Sequence, residues 1–270
     1  MARIIPLRRQ SPLAFPGVMP GFDPTHPAAG TGGTRYSIVS GPGTGSRNLL
    51  NPSGKPTNST APTAAIDPVM GPVLVATGSD IRYPSVAIQD STATVMAICS
   101  ISSLAAQNDI IGGRQGGFTL GVKTTGALTL FNNNTGDAVS SLILSTGIPY
   151  FLAASTNATS VSFVVVNLLT GQTLSATQTG SYTPNINGTL FQYGNGDGGG
   201  LPLSGSIACG AYTNAYLTLP NLLQVAQTPW AFWYPNQLDL ASMLVAHASG
   251  GGGTFIPNNY WQQIGPALAQ

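Results

Sequence analysis

From Val73 onward, short apolar and β-branched runs recur at a spacing of roughly ten residues, with turn residues between them. That spacing leaves little room for anything but a stack of strands. Thr94–Ser100 (Thr-Val-Met-Ala-Ile-Cys-Ser) is continuously apolar, the pattern of a strand buried on both faces. Phe118, Leu120 and Val122 alternate, Thr124-Thr125-Gly126 turns, and Leu128 and Leu130 alternate again, which predicts a hairpin. Ile81–Ile88, Ser140–Leu144, Tyr150–Ala154 and the strongly β-branched Val161–Val166 continue the series. Leu168–Gln172 turns the last of these back into Thr173–Thr179, and Leu190–Tyr193 and Ser206–Tyr212 close it. The expected fold is all-β, an antiparallel jelly-roll sandwich with one short helix.

That helix is placed after the strands. Thr218 stands at an N-cap position, Pro220 falls in the first turn, and Leu219, Leu222, Leu223 and Ala226 form one apolar face. Pro229 ends it. The densest aromatic cluster of the chain follows at once: Trp230-Ala231-Phe232-Trp233-Tyr234-Pro235. Its aromatics Trp230, Trp233 and Tyr234 admit two readings, a platform for a glycan or partner and a lid on the core. The flanking prolines favour core and interface.

Residues 1–72 have a different texture. Prolines recur from Pro6 to Pro72 and oppose helix and central strand. The first 55 residues hold Arg3, Arg8, Arg9, Arg35, Arg47 and Lys55 against Asp23 alone, a balance of 6 − 1 = +5. The remainder holds three cations and seven aspartates, a balance of −4. We therefore divide the chain into a basic, extended docking arm (1–72), a sandwich domain (73–235) and a glycine-containing tail (236–270). Arg3, Arg8, Arg9, Phe15 and Phe22 are the expected anchors on a partner, the charges for orientation and the rings for buried contact; the alternative for the apolar residues is that some fold back on the chain's own sheet. The cations are too dispersed for a nucleic-acid interface, in which clustered charge releases counterions.

Charged residues make up only 6% of the chain. A surface so poor in charge tends to associate, so burial against partners or further copies of the chain is expected. Glutamate is absent and the two histidines, His26 and His247, lie outside the strand region. The nearest acid pair, Asp80 and Asp90, flanks a strand rather than sharing a face, and a Ser-His-Asp arrangement lacks its histidine there, so no enzymatic activity is expected. No cofactor is implied. Asn195-Gly196-Asp197-Gly198-Gly199-Gly200 offers Asn195 and Asp197 as calcium ligands, but two side-chain oxygens fall short of six to eight, and a glycine loop is the favoured reading. Cys99 and Cys209 stand in apolar stretches, and their spacing leaves open whether they pair. No run of eighteen apolar residues is present to span a membrane.

Several segments resemble the laminin-G-like members of the concanavalin A-like jelly rolls. Gly117–Val122 with Gly126–Leu130 resembles that family's central hairpin. Gly147-Ile148-Pro149-Tyr150-Phe151-Leu152-Ala153-Ala154 is similar to its G-x-W-h-h-h-A strand, with Tyr150 in place of tryptophan. Leu203–Ala208 resembles its F-x-G-x-I strand and Tyr212–Thr218 its entry to the final helix. Combined with Thr228–Pro235 and the arm motif Gly21-Phe22-Asp23-Pro24-Thr25-His26-Pro27-Ala28-Ala29, the set resembles a subgroup among tailed-phage and prophage structural proteins. The resemblance implies a virion protein, made in a bacterial cytoplasm and present in several copies, docked on capsid or tail subunits as a fibre, appendage or decoration. Its lectin-like members imply a host glycan as the alternative partner.

Overall fold

A computed structural model of the chain describes residues 26–29, 34–41, 45–50, 57–58, 62–77, 81–84, 90–114, 117–132, 136–184, 190–194 and 201–234. In chain order the strands are β1 (Thr34–Gly41), β2 (Gly45–Asn48), β3 (Thr57–Asn58), β4 (Thr63–Asp67), β5 (Gly71–Thr77), β6 (Ile81–Pro84), β7 (Ala93–Ile101) and β8 (Asn108–Arg114). There follow β9 (Thr119–Val122), β10 (Ala127–Phe131), β11 (Ala138–Ile143), β12 (Pro149–Thr156), β13 (Ser160–Asn167), β14 (Thr173–Thr179), β15 (Leu190–Tyr193) and β16 (Ser204–Thr213), then helix α1 (Leu219–Gln227). Two antiparallel sheets face each other, the expected all-β sandwich. A nine-stranded sheet runs β14-β13-β12-β7-β16-β1-β2, with β5 joining β16 and β4 joining β5; a seven-stranded sheet runs β11-β10-β9-β8-β15-β6-β3.

The predicted hairpin is β9–β10, in register from Leu128↔Val122 to Phe131↔Thr119. Gly126 takes φ +84° at its turn, a conformation glycine adopts without Cβ strain. β14 and β15 begin and end where the sequence pattern placed them.

Between the sheets lies one core, with Val95, Cys99, Leu120, Leu130, Leu152, Phe163 and Ile207. A second core lies on the other face of the nine-stranded sheet. There Met96, Ile98, Phe151, Val164 and Val166 pack under Leu222 and Val225 of α1 and under Trp230, Phe232 and Trp233. β7 and β12 are thus buried on both faces, which is why their sequences are apolar without alternation. Thr218 occupies the N-cap of α1 in extended conformation, but its hydroxyl makes no capping bond. The helix is held by Leu222, Val225 and Ala226 against the sheet rather than by its cap.

The division at residue 72 is corrected by the sheet topology. β1 pairs β16 from Thr34↔Thr213 to Val39↔Cys209 and lies between β16 and the edge strand β2 of the nine-stranded sheet. Its Tyr36 ring stacks on Phe191 of the opposite sheet at 3.8 Å and 5°. β4 and β5 extend the same sheet. The reason is local: residues 28–41 contain no proline, and averaging proline over 72 residues hides that stretch. Pro72 stands near the start of β5, where a missing N–H is tolerated. β8 was also not anticipated, because Gly112 and Gly113 lower its strand propensity.

Cys99 and Cys209 are free and buried. They lie on neighbouring strands but on opposite faces, Cys99 in the inter-sheet core and Cys209 in the second core. A bulge at Ile207/Cys209 turns two successive residues, Ala208 and Cys209, to the same outer face. The pairing left open by the sequence is therefore excluded by geometry.

Burial raises the Cys99 thiol to about 12 and pushes the Cys209 thiol and the Tyr83, Tyr193 and Tyr234 hydroxyls well up. All five stay protonated in the folded chain at pH values where the unfolded chain ionises. Their stabilisation is complete below the unfolded thiol value of 9.0 and is lost as pH rises above it. Urea midpoints should be flat from pH 7 to 8.5 and fall steeply toward pH 11, each group costing about 1 kcal/mol per pH unit once its unfolded form ionises. In the native state at pH 8 neither thiol should react with Ellman's reagent, and both should react in urea.

Candidate functional site

Three of the aromatics singled out in the sequence, Trp230, Trp233 and Tyr234, are buried at 1%, 0% and 6% exposure. Backbone bonds Trp233 N→Trp230 O (3.1 Å) and Tyr234 N→Trp230 O (2.8 Å) wind the segment into a turn that carries the rings onto the sheet. The Trp233 indole N–H donates to Gly210 O on β16 at 3.3 Å. Trp230 meets Tyr234 edge to face at 6.2 Å, and Phe232 meets Trp233 at 5.3 Å. No ring face of Trp230 or Trp233 is left for a sugar to stack on, so the platform reading is corrected in favour of core closure.

The same cluster receives the N-terminal segment. A 3-10 turn at Pro27–Ala29 buries Ala28 and Ala29 completely or nearly so. The His26 ring stands edge-on to Phe232 at 5.3 Å and 86°. Its Nδ1 accepts from Ala28 N at 3.2 Å, and the Thr34 hydroxyl donates to Ala29 O at 2.7 Å. Two motifs some two hundred residues apart in sequence, His26–Ala29 and Thr228–Tyr234, are therefore one packing unit. Arg3, Arg8, Arg9, Phe15 and Phe22 lie outside the described residues, as do Asn195 and Asp197.

A second region lies on the outer face of the seven-stranded sheet. Cross-strand partners share a face, so the registers set Phe131, Thr119, Gly112, Gln192 and Arg82 in one row and Thr129, Gly121 and Asp109 in the next. Gly121 leaves room there: a Cβ would press on the Phe131 ring and the Asp109 carboxylate. Asp109, 1% exposed, accepts from Gln107 Nε2 at 2.9 Å. Gln107 Oε1 accepts from Lys123 Nζ at 3.4 Å, and that ammonium lies 2.6 Å from Asp137 Oδ2 and 4.5 Å above the Phe131 ring centroid. In a chain with so few charges, this gathers a cation, two carboxylates, an amide and an aromatic ring. Sequence reasoning missed it because Gln107, Lys123 and Asp137 sit on three separate loops or strand ends. Only the pairing of β8, β9 and β10 brings them together. Asp67 accepts from Val69 N and Met70 N at 2.8 Å each and closes the β4–β5 turn.

No family model and no curated protein matches the chain. Solved structures share its fold. Domain 4 of AbnA, a GH43 extracellular arabinanase from Geobacillus stearothermophilus solved with arabinotriose, superposes with TM-score 0.53 at 15% identity, over 72% of this chain and 98% of that one. A Trypanosoma rangeli sialidase in complex with 2,3-difluoro-KDN gives 0.51 at 13% identity, over 79% of this chain and 36% of its own. The binding domain of botulinum neurotoxin DC, in complex with rat synaptotagmin II, gives 0.50 at 10% identity, over 73% and 52%. At such identities the likeness is one of β-sandwich architecture and carries no residue or activity across.

Phe232→Ala should cost about 3–5 kcal/mol in urea unfolding, the range for emptying a buried aromatic site. His26→Ala, which removes the ring contact with Phe232 and the acceptor of the buried Ala28 N–H, should cost about 1–3 kcal/mol. Lys123→Ala should cost less than about 1 kcal/mol, because that ion pair is one-third exposed on each side.

Proposed function

We propose that this chain is a non-enzymatic structural protein of a tailed-phage virion: a β-sandwich displayed on the particle and held to capsid or tail subunits by its basic N-terminal residues. The observation that carries the proposal is the clamp at His26–Ala29. It ties the sequence bearing Arg3, Arg8, Arg9, Phe15 and Phe22 to a fixed point on the domain, under Phe232. A tether rooted in the core transmits a docking contact to the whole sandwich, and the low charge suits a surface covered by neighbours. The motif resemblance to phage structural proteins supplies the particle.

A second reading, a module that binds host-surface glycans, is favoured by the Lys123–Asp137 pair beside Gln107, one-third exposed above the buried Asp109 and Phe131. An accessible donor and acceptor side by side suit a hydroxylated ligand. The AbnA domain, solved with arabinotriose, lends the sandwich precedent.

Deleting residues 1–25 tests the first reading. Deleting 1–72 would not, because it removes β1, β4 and the Tyr36–Phe191 stack. The shorter deletion should leave the circular dichroism and the melting temperature within a few degrees of the parent, yet be lost from purified particles. Incorporation at parental levels would overturn the anchor. For the second reading, the parent should bind members of a glycan array, and Gln107→Ala with Lys123→Ala should abolish that binding while the fold persists.

A further inference from the structure

The two sheets differ in how their free edges are guarded. On the seven-stranded sheet, β11 has a register shift against β10 and β3 is two residues long. On the nine-stranded sheet, β2 has four residues, and β4 ends on Asp67. β14 has none of these protections. It is seven residues long and pairs β13 without interruption from Ser160↔Thr179 to Val166↔Thr173. No described strand pairs its free side. It contains no charge and no proline, the usual devices that stop an edge from templating another strand. Ser175, Thr177 and Thr179 are exposed, and Leu174 is 44% exposed.

The order of residues selects the partner. Thr173-Leu174-Ser175-Ala176-Thr177-Gln178-Thr179 reads nearly the same in both directions about Ala176. Laid antiparallel on a second copy, Thr173 meets Thr179 and Ser175 meets Thr177, hydroxyl pairs that favour strand pairing. Ala176 meets itself on the two-fold axis. An uncharged strand meets its own copy with no like-charge repulsion, and a self-complementary surface is what a closed two-fold dimer requires. We propose that β14 is a dimerisation edge, joining the nine-stranded sheets of two copies of this chain into one continuous sheet. The pairing is a property of the domain and does not depend on the particle or glycan readings.

Sedimentation equilibrium of the full chain tests it. The parent should sediment at twice 27.6 kDa, and Ser175→Lys with Thr177→Lys, which sets ammonium groups opposite each other at the axis, should sediment at 27.6 kDa with unchanged circular dichroism. Should the lysine variant fail to fold, Ala176→Cys gives an independent reading: copper-phenanthroline oxidation should link two chains covalently through that position. A monomeric parent, a trimer, a folded lysine variant that stays dimeric, or a cysteine variant that does not cross-link would overturn the proposal.

Discussion

Everything in this fold is referred to β16 and to the extra residue in it. On one side β16 pairs β7 along nearly its whole length; on the other it pairs β5 through Ser204–Ile207 and β1 through Cys209–Thr213. The bulge sits at that handover. A strand with strict period-2 alternation would send Cys209 into the same core as Ile207 and Cys99. The bulge instead presents Ala208 and Cys209 outward and restores Tyr212 to the inter-sheet core, where its ring meets Phe191 at 6.0 Å. Close packing permits this only with minimal side chains: a Cβ at Gly205 would overlap the Ser100 carbonyl, and one at Gly210 would enter the space of Ile111 and Tyr193.

A sheet apolar on both faces needs a third layer, and the chain supplies it from its two ends. α1 and the Trp230–Tyr234 turn come from one side of the sequence, Ala28 and Ala29 from the other. Core burial of this kind, rather than charge, is what the composition provides. Hence the few ionised side chains matter more locally than their number implies. Lys123 is shared among a carboxylate, an amide oxygen and a ring face, a combination that orients the loop before β10 against the start of β8.

The sandwich was legible wherever burial is written as a period. β13 and β14 follow from a β-branched run and a turn closed by Asn167, whose Oδ1 accepts from Leu169 N and Thr170 N. The Trp230–Tyr234 cluster was readable as core because prolines fix its ends. What escaped has a common cause. β1 is flanked by glycine and set between Pro27 and Pro42, so its alternation of Tyr36 and Ile38 is lost in any broad window. The bulge at Ala208 has no residue signature, so the facing of the two thiols could not be foreseen. The polar chain through Gln107 and Lys123 exists only after β8, β9 and β10 align, and β8 hides behind Gly112 and Gly113.

The pairing of β1 with β16 has a consequence for synthesis. Ile38 lies opposite Gly210, so the first described strand, paired early with β2 on one side, finds its other neighbour only when the last described strand has emerged. Until then Tyr36 and Ile38 are apolar groups on a hairpin whose β16 side is unpaired, and closing so long a loop is slow. The chain crosses that interval with a segment rich in glycine and proline around β1, a composition that resists wrong pairing while it waits.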